Sequence, residues 1–143
     1  MPKVSSILSR KSRDFFSMQK GATVYKALEL MAEKNIGSLV IMDGDKYVGV
    51  MTERDYSRKV ILKNKHSSDT MVDEIMSTDF PIVSPNDTID HCMALMSEKN
   101  IRYLPVFDND SIIGVVSIGD VVGETIRQQG ETINHLKDYI HGQ

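Results

Sequence analysis

Two short stretches pair a hydroxyl with a carboxylate at the same spacing: Thr52-Glu53-Arg54-Asp55 and Ser117-Ile118-Gly119-Asp120. Each follows an apolar run through a glycine, Gly49-Val50-Met51 and Gly114-Val115-Val116, and each opens a helical pattern. A hydroxyl at a helix cap accepts a bond from first-turn N–H groups that have no partner inside the helix. A carboxylate in that turn sits at the positive end of the helix dipole. Such a turn gathers donors and acceptors at one point. The same residues also make an ordinary capping box, in which the Asp reaches back to a free N–H and no ligand is involved. For one copy alone, capping is at least as good a reading. What weighs toward a site is that the turn recurs at the same place in two copies of a longer unit.

Shifting the sequence by 65 residues aligns Thr23 to Asp55 with Thr88 to Asp120 without a gap, and thirteen of these 33 positions are identical. That is a duplication. Two copies are too few for a solenoid, so one pair that closes on itself is expected. Each copy reads in the same order. A short extended run comes first, Phe80 to Val83 in the second copy, ended by Ser84-Pro85-Asn86-Asp87. Helical spacing follows, with Val24, Ala27, Leu28, Met31 and Ile89, Cys92, Met93, Met96 at i, i+3, i+4, i+7. These helices enter at Thr23 and Thr88 and end near Asn35 and Asn100, which tolerate a left-handed cap. Strand-like runs Leu39 to Met42 and Tyr103 to Phe107 turn at Asp43-Gly44-Asp45 and Asp108-Asn109-Asp110 into Tyr47 to Met51 and Ile112 to Val116. A second helix then carries Tyr56, Val60 and Ile61, or Ile118, Val121, Val122 and Thr125. The unit is β-α-β-β-α, so the fold class is α+β. Residues 4–63 form the first repeat, 64–71 a linker, 72–129 the second repeat and 130–143 a helical tail. In the tail Ile126, Ile133, Leu136 and Ile140 make a narrow stripe suited to another helix or to its own domain. Gly130 leaves a kink possible there.

Composition bounds the function. A chain of 143 residues with 26% charged and 41% apolar residues and a net charge of −3 is ordinary for a globular protein. It has no basic field for nucleic acid and no apolar run of membrane-span length. Nothing at the N-terminus looks like a signal-peptide core. Its basic, Ser-rich start is read as structure, because Val4-Ser5-Ser6-Ile7-Leu8-Ser9 echoes Val72-Asp73-Glu74-Ile75-Met76-Ser77. The one cysteine, Cys92, excludes an internal disulfide and is expected as a buried apolar group in a reducing, cytoplasmic setting. The histidines His66, His91, His135 and His141 are scattered and lack metal-ligand spacing. The nine methionines fall largely on apolar stripes, as core residues do. No Walker loop or GxGxxG is present, and no catalytic constellation stands out.

The duplicated unit, with Gly-h-h-(Ser/Thr)-x-x-Asp closing each hairpin and Asn100-Ile101-Arg102-Tyr103-Leu104-Pro105-Val106 before the second, resembles the CBS-domain pair, or Bateman module. The resemblance spans about Val4 to Gln129, and the Thr52-Glu53-Arg54-Asp55-Tyr56 string is similar to that of small bacterial and mitochondrial CBS-pair proteins. It implies two tandem CBS repeats packed pseudo-symmetrically around one shared cleft, plus a C-terminal helix. It also implies a non-enzymatic regulatory module binding an adenosine ligand there: AMP first, ADP, ATP or NAD(H) next, S-adenosylmethionine in some members. Carried onto this sequence, Asp55 and Asp120 accept ribose hydroxyls, Thr52 and Ser117 approach ribose or phosphate, and Arg102 with Tyr103 meets phosphate. The backbone at Ile82, Val83 and Ser84 brackets the adenine. Gly37 and Ser38 stand where Arg102 and Tyr103 do, and Lys20 where Pro85 does, so the second-copy site is expected to be the stronger. Arg54 and Arg58 could lend charge to a phosphate. The resemblance further implies a homodimer and a regulated protein partner. The alternative is a constitutive interaction and dimerisation module with vestigial nucleotide clefts, and a weaker third reading is a nucleotide-hydrolysing enzyme.

Overall fold

The computed structural model describes residues 2–11 and 15–140, with side-chain surroundings described through Glu131. The element order is α1 (Val4–Arg10), β1 (Ser17–Gln19), α2 (Val24–Lys34), β2 (Ser38–Asp43), β3 (Lys46–Thr52), α3 (Glu53–Lys59), a 3₁₀ turn (Ile61–Lys63), α4 (Val72–Ile75), α5 (Ile89–Lys99), β4 (Tyr103–Asp108), β5 (Ser111–Ser117) and α6 (Ile118–Ile140). Both long repeat helices start and stop on the chemistry of their ends. Thr23 and Thr88 accept the N–H groups of Lys26 and His91, and Asn35 and Asn100 close the helices in the left-handed region at φ 54°. The hairpins β2–β3 and β4–β5 are antiparallel, with positive φ at Gly44 and Asn109 in their turns and the same one-residue bulge in each. The element types therefore form a mixed α+β fold.

The chain divides into two compact units, Phe15–Phe80 and the remainder before and after it. The short opening helices are exchanged relative to the sequence repeats. In the unit 15–80, α4 meets the start of α2, where the Val24 N–H donates to Thr70 O and the Val72 N–H to Ala22 O, both at 2.8 Å. In the other unit α1 meets the start of α5, through the Ile89 N–H to Pro2 O at 3.1 Å and the Val4 N–H to Asp87 O at 2.9 Å. The echo between residues 4–9 and 72–77 is thus two short helices in equivalent places, each closing one end of a long helix whose first N–H groups need acceptors. Each unit has its own apolar core. Val24, Met31, Leu39, Met51, Val72 and Ile75 are central to one, and Val4, Ile7, Ile89, Leu104, Val116 and Val121 to the other. Cys92 lies fully buried in the second core.

Several expectations need correction. β1 pairs parallel with β2, but its counterpart at Phe80 to Val83 is not a strand: only Val83 bridges β4. Pro81 and Pro85 remove backbone donors on either side of it, leaving one N–H and one carbonyl to pair. Ile61 is exposed, because the helix of the first copy ends at Lys59 and tightens into a 3₁₀ turn. Met71 and Met93 are exposed, unlike Met31, Met42, Met51 and Met96. Gly130 does not end the helix, since α6 runs from Ile118 to Ile140. Residues 141–143, and the side chains of Ile133, His135, Leu136 and Ile140, lie outside the described residues. No described helix is long and apolar enough to cross a membrane.

Candidate functional site

The strand β3 delivers Thr52 to the head of α3. Its Oγ1 accepts the Asp55 N–H at 3.1 Å and donates to Asp55 Oδ2 at 3.0 Å, while the Thr52 N–H donates to the same oxygen at 2.9 Å. The other oxygen, Oδ1, accepts the Ser77 hydroxyl at 2.8 Å and the Lys59 ammonium at 2.9 Å. Asp55 is 5% exposed. Four donors therefore occupy both oxygens of a buried carboxylate, and this turn is a closed capping box tied to the segment leaving α4. Gly49 makes room for that segment. A Cβ on it would stand 2.8 Å from both Met76 Sδ and Ser77 O.

The second turn has the same cap and a different closure. The Ser117 N–H donates to Asp120 Oδ2 at 2.9 Å, and Ser117 Oγ accepts the Asp120 N–H at 3.1 Å. In place of a serine, the exit of α1 supplies Lys11, whose Nζ donates to Asp120 Oδ2 at 2.8 Å and to Val115 O at 2.7 Å. One residue earlier, Arg10 pairs with Glu124, a buried acid one helical turn beyond Asp120. Among the described residues, Oδ1 of Asp120 accepts no hydrogen bond, and the side chain is 24% exposed. One oxygen is pinned and the other is open.

Strand register gathers most of the sequence candidates at these turns. Tyr103 pairs with Ser117 and Ser38 with Thr52. The first N–H of each following helix donates to the residue before the partner strand, Ile118 to Arg102 O at 2.8 Å and Glu53 to Gly37 O at 3.1 Å. The exposed Arg102 side chain thus starts beside the Asp120 turn, where the other copy has Gly37. Ile82 is exposed, and the Val83 side chain belongs to the core. The Ser84 N–H is bound to Asp87 Oδ2 at 2.7 Å. On α3, Arg58 is exposed and Arg54 half-buried.

Sequence reasoning missed Lys11, Arg10, Ser77, Lys59 and Glu124. The 4–9 echo pointed at Ser77, while the basic start offered nothing that singled out Lys11. A separate pocket of about 380 Å³, lined by Leu28, Met31, Ala32, Asn35, Ile36, Gly37 and Glu53, lies against α2 and the head of α3. Of the candidates it touches only Gly37. Burial, with Asp79 nearby, pushes the Tyr47 phenol up to about 12, and burial, with Asp87 nearby, pushes the Cys92 thiol up to about 11. Among the described residues no group of His, Cys, Asp and Glu could hold a metal ion.

The CBS domain pattern matches residues 4–61 and 72–126. The chain belongs to the CBS-domain family. CBS domain-containing protein CBSX3, mitochondrial, of Arabidopsis thaliana is 37% identical over 125 residues, 84% of this chain and 61% of the relative. The chain thus spans somewhat under two thirds of that relative's length. A solved protein with CBS domains from Burkholderia ambifaria is 45% identical, with a TM-score of 0.85 over 89% of this chain and 96% of that one. A CBS domain pair solved in complex with 5′-methylthioadenosine and S-adenosyl-L-methionine is 25% identical, with a TM-score of 0.78 over 90% of this chain and 98% of that one. Tandem CBS domains are regulatory modules, and that pair holds two adenosine compounds.

Proposed function

We propose that this CBS pair is a regulatory module that binds an adenosine nucleotide at the Asp120 turn and thereby controls a protein partner. The observation that carries the reading is the open Oδ1 of Asp120, beside the Ser117 cap and the Arg102–Tyr103 strand start. An ionised carboxylate is acceptor-only and suits ribose hydroxyls, and Arg suits phosphate. AMP is the first ligand to test, followed by ADP, ATP, NAD(H) and S-adenosylmethionine. The nucleotide is sensed and not turned over. Control of a partner requires that the ligand bind two states of the module with different affinity. The module works as a cytoplasmic homodimer in this reading, supported by the exposed stripe Ile118, Val122 and Ile126 on α6. Monomeric sedimentation at micromolar concentration rejects the dimer.

The test is thermal unfolding with each ligand, since a compound that binds only the folded state raises the midpoint. Asp120→Ala is expected to weaken binding about ten- to a hundredfold, a bond to a charged group being worth roughly 1.5–3 kcal/mol. An unchanged affinity in the folded variant reduces Asp120 to a helix cap. The closed Asp55 turn favours a second reading, a constitutive interaction module with vestigial clefts. Failure of every ligand at millimolar concentration selects it.

A further inference from the structure

The segments leaving α1 and α4 treat the two turns differently. Ser77 gives Asp55 a neutral hydroxyl, whereas Lys11 brings Asp120 a full positive charge. An ammonium has three donors. Two of them engage Asp120 Oδ2 and Val115 O, and the Lys11 side chain is one-third exposed. Because Oδ2 also takes the Ser117 N–H, both its lone pairs are filled, and Oδ1 is the oxygen left for a ligand. A bare carboxylate that accepted a sugar hydroxyl would repel a phosphate on the same molecule. An ammonium 2.8 Å away cancels that charge and offers its third donor. The neighbouring acid does not draw Lys11 off, since Glu124 is already matched by Arg10.

We infer that Lys11 sets the charge specificity of the Asp120 site: it offsets the carboxylate's charge beside the open Oδ1 and makes phosphorylated adenosine ligands bind in preference to neutral adenosine. This rests on the nucleotide reading of that turn. The experiment is calorimetric titration of the full chain with AMP and with adenosine, for the wild type, Lys11→Met, Lys11→Gln and Lys11→Arg. The wild type is expected to bind AMP at least about tenfold more tightly than adenosine, a difference of about 1.4 kcal/mol. Both neutral variants should lose most of that ratio by weakening AMP while adenosine binds no worse, and Lys11→Arg should keep it. Rising salt should narrow the wild-type ratio, as for any solvent-exposed charge contact, and this readout needs no variant to fold. A ratio that is the same in the wild type and the neutral variants overturns the role of Lys11 and leaves the nucleotide reading standing. A ratio indifferent to salt does the same. A wild type that binds neither compound overturns both.

Discussion

Replacing Asp55 should damage the fold, and the size of the effect follows from its bonds. In Asp55→Ala the Thr52 N–H, the Thr52 hydroxyl and the Ser77 hydroxyl all lose their acceptor in a buried place. Each buried donor left unmatched costs roughly 1–3 kcal/mol where water cannot reach it. The Lys59 side chain is 44% exposed, so its ion pair with Asp55 adds little. Allowing for water entering the space of the lost carboxylate, a total of about 2–4 kcal/mol is expected, a large part of the roughly 5–15 kcal/mol that holds a domain folded. The thermal midpoint should fall by about 8–16 °C at roughly 4 °C per kcal/mol. Urea unfolding followed by circular dichroism at neutral pH measures the free-energy loss and a thermal melt the midpoint, with Asp120→Ala as the comparison. Asp120 has one pinned oxygen and is partly exposed, so its replacement should cost clearly less. A loss below about 1 kcal/mol for Asp55→Ala, or one equal to that of Asp120→Ala, refutes the division into a closed and a half-open turn.

Gly49→Ala should cost about 1–3 kcal/mol by overpacking, because Met76 can swing aside but Ser77 O is held by the Val50 N–H at 2.9 Å; an unshifted melting midpoint counts against that contact. The fold should also weaken in alkali. Burial raises the Cys92 thiol from 9.0 to about 11, so the unfolded chain releases this proton first. The contribution is therefore complete below about pH 9 and is lost as pH rises toward 11. Urea midpoints measured across that window should decline less steeply in Cys92→Ala than in the wild type, and parallel curves refute the assignment.

What the sequence made legible was the chemistry of neighbours. The caps at Thr23 and Thr88, the left-handed ends at Asn35 and Asn100, and the tight hairpins are each decided within a few residues, so spacing alone placed them. Arg102 and Tyr103 were tied to the Ser117 turn through the family resemblance, and the hairpin register that sets Tyr103 opposite Ser117 was not read from the sequence. Nor was the exchange of α1 and α4 between the repeats. Their apolar residues show that each covers a core, and both cores are apolar in the same way. Lys11 was hidden for a related reason. Its partner is 109 residues away, and which residue meets the turn depends on where the helix ends. The echo aligns Ser9 with Ser77, yet α1 continues to Arg10, so the Ser9 hydroxyl bonds back to Ser6 O while α4 ends at Ile75 and frees Ser77.

The divergence of the two turns follows from a single repeat position. One helical turn beyond Asp55 stands Lys59, and at the equivalent place beyond Asp120 stands Glu124. Residues four apart on a helix are neighbours. Lys59 therefore binds Asp55 from its own helix, and a hydroxyl from outside completes the carboxylate. Glu124 has the opposite effect. It sets a second acid beside Asp120, and a buried acid without a partner is strongly destabilising. Arg10 and Lys11, consecutive at the exit of α1, answer the two acids with two cations. A lysine fixed on the same helix leaves its carboxylate saturated, whereas a lysine brought in on the α1 exit leaves one oxygen open and a partly exposed ammonium beside it. The same helix cap, duplicated, is in one copy a structural pin and in the other a polar pair with one carboxylate oxygen unpaired among the described residues.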